Sequence, residues 1–159
     1  MDFKIRNIEI RDSKFVFEQL YKLAEHGDST HCFVITKEMM QEQLFGEKAS
    51  WNGLVAVAAN KNILGCCMYN FTHFSRMYNK AAKIFIDAIY IEPQARNKNI
   101  ATQFMKQIIQ IAKNKKISAI ELWCMNDNEI AKTFYRKSGL IEFDSFNLWR
   151  LKLDGSVIK

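Results

Sequence analysis

The sequence predicts an α/β (α+β) fold: a mixed, mostly antiparallel central sheet flanked by helices, with one β-α-β unit. Three observations predict it. Apolar segments of period two and of helical period follow one another in the order β-α-α-β-β-β-α-β-α-β. The strands in the middle succeed one another with no helix between them, as antiparallel strands do, whereas the next two are separated by a helix, as parallel strands require. Apolar residues make up 48% of the 159-residue chain, enough for one core, and that length fits a single domain over residues 1–159.

Each element has its own signal. "FKIRNIEI", residues 3–10, alternates as a strand does. Asp12 or Ser13 caps the helix that follows, with Val16, Leu20 and Leu23 at i, i+4 and i+7 and Gly27 just past its end. "TKEMMQEQLFG" reads as a second short helix, with Thr36 as N-cap and Gly46 beyond the C-terminus. "LVAVAA" and "ILGCCMYNF", separated by "NKN", form a hairpin. "AKIFIDAIYI" is a longer strand, stopped at Glu92-Pro93 by the chain's only proline. Ile100, Phe104, Ile108 and Ile111 mark one face of a helix, and "ISAIELWCM" is a further strand. "NDNE" sets a side-chain cap at Asn126 with Glu129 three residues on. The helix "EIAKTFYRKSG" pairs Ile130 with Phe134 toward the core and ends at Gly139, and "LIEFDSFNLWRLKL" reads as closing strands.

Composition narrows the function classes. No run approaches the roughly 20 apolar residues that span a bilayer, and "MDFKIRNIEIRD" has no signal-peptide apolar region, so a cytoplasmic location with no membrane association is expected. Cys32, Cys66, Cys67 and Cys124 lack metal-ligand spacing, and the adjacent pair points to opposite faces of a strand. They read as structural thiols; His26, His31 and His73 are scattered, and no metal site is expected. The net charge of +6 is spread along the chain, and its densest run, "KNKK", suits a helix C-terminus.

The stretch "PQARNKNIATQF", residues 93–104, carries the first chemical signal. A helix N-terminus set after a strand presents unpaired amides and partial positive charge, and here Arg96 and Lys98 add full charges beside it. That combination fits a phosphate or pyrophosphate; the plain alternative is a solvated loop.

Residues 96–101, Arg-Asn-Lys-Asn-Ile-Ala, resemble the acyl-CoA loop Arg/Gln-x-x-Gly-x-Gly/Ala of the GCN5-related N-acetyltransferase (GNAT) superfamily, matching at Arg96 and Ala101. Asn99 stands where the first glycine is usual. The resemblance covers nearly the whole chain and is strongest to spermidine/spermine (diamine) N-acetyltransferases. "LAEHGDSTHCFVITKEMMQEQLFGE", "MYNFTHF", "NDNEIAKTFYRKSGL" and "WRLKLD" carry it, the last two most specifically.

The resemblance implies a GNAT-type fold with a β-α-β acyl-CoA core, and an acetyl-CoA-dependent transfer to a primary amine of a small molecule, a polyamine or diamine, by direct attack in a ternary complex. It assigns cosubstrate binding to the backbone of Ile89, Tyr90 and Ile91, to the loop and helix start at Arg96, Asn97, Lys98, Asn99, Ile100, Ala101 and Thr102, and to Asn128 and Ala131. Tyr135 would sit by the thioester sulfur, and Asp87 would handle the amine proton. Glu121 and Trp123 align with a substrate-contacting stretch, and Trp149 is assigned to the substrate with them, its plain alternative being to pack the last strand. It also implies a homodimer, and no nucleic-acid partner.

The residues themselves leave alternatives. Asp87 lies in a strand apolar on both faces, where an unpaired buried carboxylate is costly; an edge or solvent-facing Asp is the ordinary explanation. Tyr135 is either an acid or a packing aromatic, and Asn128 also fits a helix start. Polyamine enzymes of this family gather acids around the amine, whereas here Ala88 and Asn147 replace two of them and "SRMYNKAA" is basic. Another primary amine, including a lysine-like compound, therefore stays open. So does a different class, a catalytically weak or inactive GNAT-fold protein that binds CoA, RNA or a protein partner.

Overall fold

The structure is a computed structural model that describes residues 2–72 and 82–143. The order of elements is β1 (Phe3–Asn7), α1 (Ser13–His26), α2 (Lys37–Phe45), β2 (Trp51–Ala58), β3 (Ile63–Thr72), β4 (Lys83–Ile91), α3 (Ile100–Asn114), β5 (Ile120–Leu122) and α4 (Glu129–Lys137), with 3-10 turns at Ile10–Asp12, Thr30–Cys32 and Pro93–Ala95. The strands form one five-stranded sheet in the order β1-β2-β3-β4-β5. The first four are antiparallel neighbours, and β5 joins β4 in parallel after the α3 crossover. This is the mixed sheet that the sequence predicts. The chain falls into two compact units, Met1–Met125 and Asn126–Lys159. Trp149, Asn147 and most of the segment read as closing strands lie outside the described residues, as does most of "SRMYNKAA"; residues 140–143 form no strand.

Alternation sorts the sheet's side chains into two faces. Val55 and Val57 of β2, Cys66 and Met68 of β3 and Tyr90 of β4 cluster with Val16 and Leu20 of α1 and Met40 and Leu44 of α2. Leu54, Ala56 and Cys67, of the opposite alternation, are buried as well, so both faces are covered. The α3 helix packs against β4 and buries Ile100, Phe104, Met105 and Ile108.

Caps follow the sequence with two exceptions. The Thr36 hydroxyl accepts from the Met39 amide at 3.2 Å and starts α2 as expected. Asp12 does not cap α1 through its side chain; its carboxylate takes two hydrogen bonds from Arg6, at 2.6 and 2.9 Å, and one from the Glu9 amide at 2.8 Å. The cap of α4 is Asn128 and not Asn126, with Oδ1 accepting from the Ala131 amide at 3.1 Å. At its other end Gly139 takes φ +88, its amide bonds the Arg136 carbonyl, and the Leu140 amide bonds the Tyr135 carbonyl, which closes the helix as the glycine predicts. Ile130, expected in the core, is exposed.

Gly65 fixes how closely β3 and β4 approach. A Cβ there would lie 2.5 Å from the Tyr90 carbonyl oxygen and 3.2 Å from the Ile91 Cα, so backbone and not a flexible side chain would have to yield. Gly65→Ala is expected to destabilise the chain by about 1–3 kcal/mol. A melting experiment reads this as a fall of roughly 2–4 °C for each kcal/mol, and an unchanged Tm would show that the two strands separate freely at this point.

Candidate functional site

The centre of interest is the middle of β4. Met68 of β3 pairs with Ala88, while its neighbour Tyr69 pairs with Ile86. Asp87 is thus the extra residue of a β-bulge, a device that bends a strand and re-aims a side chain. The side chain is not a buried core group. Asp87 is exposed, and Asn70 donates from Nδ2 to its Oδ2 at 2.8 Å. The sequence-based concern about an unpaired buried carboxylate is therefore resolved by the bulge and by Asn70. The protein mass around the bulge still desolvates the carboxyl and pushes it above the ordinary Asp range, with the Asn70 hydrogen bond acting in the opposite direction.

The bulge also ends the sheet on one side. β5 pairs with β4 only from Ile84 to Ile86 and stops at Leu122, well short of the strand expected over residues 117–125. A bulged strand twists and bends, so a straight parallel partner cannot follow it past Asp87. Among the described residues, the next stretch of β4 keeps a ladder partner only in β3. The Glu92 amide bonds the Leu64 carbonyl, which sets the alternation: the backbone groups of Tyr90 turn toward β3, and those of Ile89 and Ile91 turn to the unpaired edge. Of the three positions expected to pair with an extended ligand arm, Ile89 and Ile91 present their backbones there. Tyr90 also sends its side chain into the core.

The loop after β4 is shaped by two left-handed asparagines. Asn97 has φ 59 and Asn99 has φ 62. Asparagine is the side-chain-bearing residue that tolerates this region best, which is why Asn99 can take a glycine's place at the start of α3. Asn99 makes no side-chain cap to the helix. Its carbonyl receives the Gln103 amide at 3.0 Å, while no hydrogen bond among the described residues uses an amide from residues 97–102 as donor. Ile100, Ala101 and Thr102 thus open the 15-residue α3 with their N–H groups unsatisfied, beside the exposed Arg96 and Lys98. Arg96 is turned back: its Nε donates to the Ile91 carbonyl at 3.2 Å, joining the loop to the free edge of β4. The donor set fits a diphosphate, with unpaired amides and two cations on one loop.

The acceptor-side candidates fall as follows. Glu121 is the ion-pair partner of Lys83, a buried lysine at the first position of β4, so its carboxylate ties β5 to β4. Trp123 is exposed and stacks edge-on against Phe85, with centroids 5.3 Å apart. In the second unit, Tyr135 is partly buried on α4, its ring 5.4 Å from that of Phe134. Ala131 lies one turn earlier on the same helix, held by the Asn128 cap. Glu142 binds Arg136 at 2.7 Å and Lys132 at 3.2 Å, pinning the chain that returns after α4.

Two residues of this region escape sequence reading: Lys83 and Asn70. Asn70 carries a readable signal, a polar side chain within an otherwise apolar strand, as Asp87 does, whereas Lys83 opens its strand and carries none. Cys66 and Cys67 are buried as the sequence suggests; burial pushes the Cys66 thiol up to about 12 and raises that of Cys67 too, so both are protonated packing groups at neutral pH. No group of three or more His, Cys, Asp or Glu that could hold a metal occurs among the described residues.

Comparison with known proteins adds findings of three kinds. The sequence model of the acetyltransferase (GNAT) family matches residues 15–140. The thialysine N-epsilon-acetyltransferase of Bos taurus is 24% identical over 160 residues, covering 98% of this chain and 94% of that protein. The enzyme of the same name from Mus musculus is 24% identical over 150 residues, covering 92% and 88%. Among solved structures, a tetramutant of a Bacillus halodurans protein superposes with a TM-score of 0.77 at 21% identity, covering 94% of this chain and 99% of that one. An aminoglycoside acetyltransferase from an uncultured soil metagenomic sample, in complex with sisomicin, gives 0.73 at 15% identity, covering 94% and 97%. These structural likenesses show the fold.

Proposed function

The chain belongs to the acetyltransferase (GNAT) family, and from that premise we propose that it acts as a single cytoplasmic domain, as a homodimer, to acetylate a primary amine of a small molecule. The acetyl donor is acetyl-CoA, and the acceptor class is a diamine or lysine-like amine. The observation that carries the reading is Asp87, a solvent-reached carboxylate set on a bulge past which β4, among the described residues, pairs with β3 alone.

We assign the roles as follows. The unpaired amides of residues 97–102, with Arg96 and Lys98, hold the diphosphate of the cosubstrate, and the backbone of Ile89 and Ile91 holds its pantetheine arm in the manner of an added strand. Acetyl-CoA supplies an activated thioester. Asp87 takes a proton from the acceptor ammonium, directly or through water, so that the amine lone pair is free to attack. Tyr135 donates its phenolic proton to the departing sulfur. Asn128 and Ala131 frame the start of the helix that bears Tyr135. Trp123 offers an exposed aromatic face to the acceptor, and Trp149 is assigned there by the family resemblance alone. Glu121, already paired with Lys83, acts on the acceptor by holding β5 in place.

The acceptor class rests on the thialysine N-epsilon-acetyltransferases, 24% identical to this chain, and on the primary-amine chemistry that a single carboxylate serves. The test is an amine panel of diamines, thialysine, lysine and an aminoglycoside, with release of CoA followed. Turnover fastest with a small primary amine is expected. If no amine is turned over while acetyl-CoA still raises the melting temperature, the chain is a CoA-binding protein without catalysis. If RNA and not acetyl-CoA raises it, the family reading of the loop fails.

Asn99 offers a second check. Glycine at this position removes both the left-handed cost of an L-residue and the side chain at the edge of the amide cluster. Asn99→Gly is expected to tighten CoA binding severalfold in calorimetry. Weaker binding would show that the amide side chain itself contacts the cosubstrate.

A further inference from the structure

Asn70 sits on β3, opposite Phe85 of β4 and Trp51 of β2. The β3–β4 ladder is complete there without its side chain, and Asn is a poor strand residue. Yet its amide reaches diagonally to the bulge and donates to one oxygen of Asp87 at 2.8 Å. No hydrogen bond among the described residues engages the other oxygen, Oδ1. A carboxylate with one oxygen pinned loses its freedom to swing, so the second oxygen has a fixed direction.

We propose that Asn70 is a positioning residue for the acceptor amine: its side-chain amide holds Oδ2 of Asp87 at the bulge and leaves Oδ1 aimed at the ammonium. The inference rests on the reading of Asp87 as the group that accepts the amine's proton. In the step, one N–H bond of the ammonium breaks, the proton passes to Oδ1, and the electron pair stays on nitrogen for the attack. Desolvation at the bulge raises the carboxyl above the ordinary Asp range, and the same hydrogen bond acts against that rise. Among the described residues, the groups that act on this carboxyl are the Asn70 amide and the Cys67 thiol, both of β3, the thiol buried and neutral.

The test is the pH profile of kcat/KM for the amine in Asn70→Ala, Asp87→Asn and the double variant, with acetyl-CoA affinity and Tm measured alongside. The amine's own titration is common to all four proteins, so differences between their profiles belong to the enzyme. Asn70→Ala is expected to move the acidic limb up by about one pH unit, a tenfold loss at a pH on that limb, with acetyl-CoA affinity kept. In the Asp87→Asn background the same substitution should cost nothing further. A limb that stays in place, or full additivity of the two losses, overturns the role of Asn70. If Asp87→Asn alone is as active as the parent at every pH, the proposed proton acceptor fails instead, and the two failures are thereby distinguished. Should Asn70→Ala not fold, the equal-sized Asn70→Asp decides: two facing carboxylates must raise the limb further, and an unmoved limb refutes the proposal.

Discussion

Tyr135→Phe is expected to lower kcat by at least about a hundredfold, since general acid catalysis contributes about 10²–10⁴-fold. The substitution removes one hydroxyl and keeps the ring beside Phe134. The helix that carries it has only nine residues, a length at which an isolated helix is marginal. It is held by its ends: the Asn128 side chain at the start, the left-handed Gly139 at the finish, and Glu142 bridging Lys132 and Arg136 just beyond. If the hydroxyl serves chemistry, Tm and acetyl-CoA affinity should barely move while turnover falls. If the Phe variant turns over at close to the parent rate when chemistry is rate-limiting, Tyr135 is a packing residue and the proton for the sulfur comes from elsewhere.

How far the sequence carried can be seen at single positions. Period and punctuation set most boundaries: Thr36 and Gly46 bracket α2, Glu92-Pro93 ends β4, and Ile100, Phe104 and Ile108 are the buried stripe of α3. The antiparallel run and the parallel crossover followed from the order of elements alone. What the sequence could not display is register. A bulge adds one residue to one strand without altering its apolar pattern, so "KIFIDAIYI" reads as an even strand, and "ISAIELWCM" reads as a full-length partner. Only the pairing shows Asp87 as the inserted residue and β5 cut to Ile120–Leu122. The same limit hid Asn70, whose partner is a register fact. At the helix ends the ambiguity was local. Asn126 and Asn128 both precede Glu129, and the backbone turn selects the nearer one. At residue 99 asparagine stands in for the usual glycine and takes a left-handed backbone, which asparagine tolerates. Asn97 needed the coordinates.

Asp87→Asn is expected to lower kcat/KM for the amine by about 10²-fold or more near neutral pH and to leave acetyl-CoA affinity nearly unchanged. The amide is the same size and its oxygen can still accept from Asn70, so what is lost is the base. The loss should shrink as pH rises toward the amine's own pKa, because free amine then forms without help. Stability gives an independent signature, and its sign can be worked out. Desolvation raises the Asp87 carboxyl above the ordinary Asp range in the folded chain, against the opposing hydrogen bond from Asn70. The folded state therefore holds the proton more tightly than the unfolded state. Stability falls as pH climbs from the unfolded value, about 3.9, through the raised folded one, and the full cost stands above that window. Asparagine carries no charge and escapes this cost. The variant should match or exceed the parent's Tm at neutral pH, and that advantage should vanish below about pH 4. Because Asp87 is reached by solvent, the gain is small. A less active but no less stable variant is the mark of a carboxylate kept for chemistry. A loss uniform across pH, together with a lower Tm at neutrality, would instead make Asp87 a structural residue that secures the bulge.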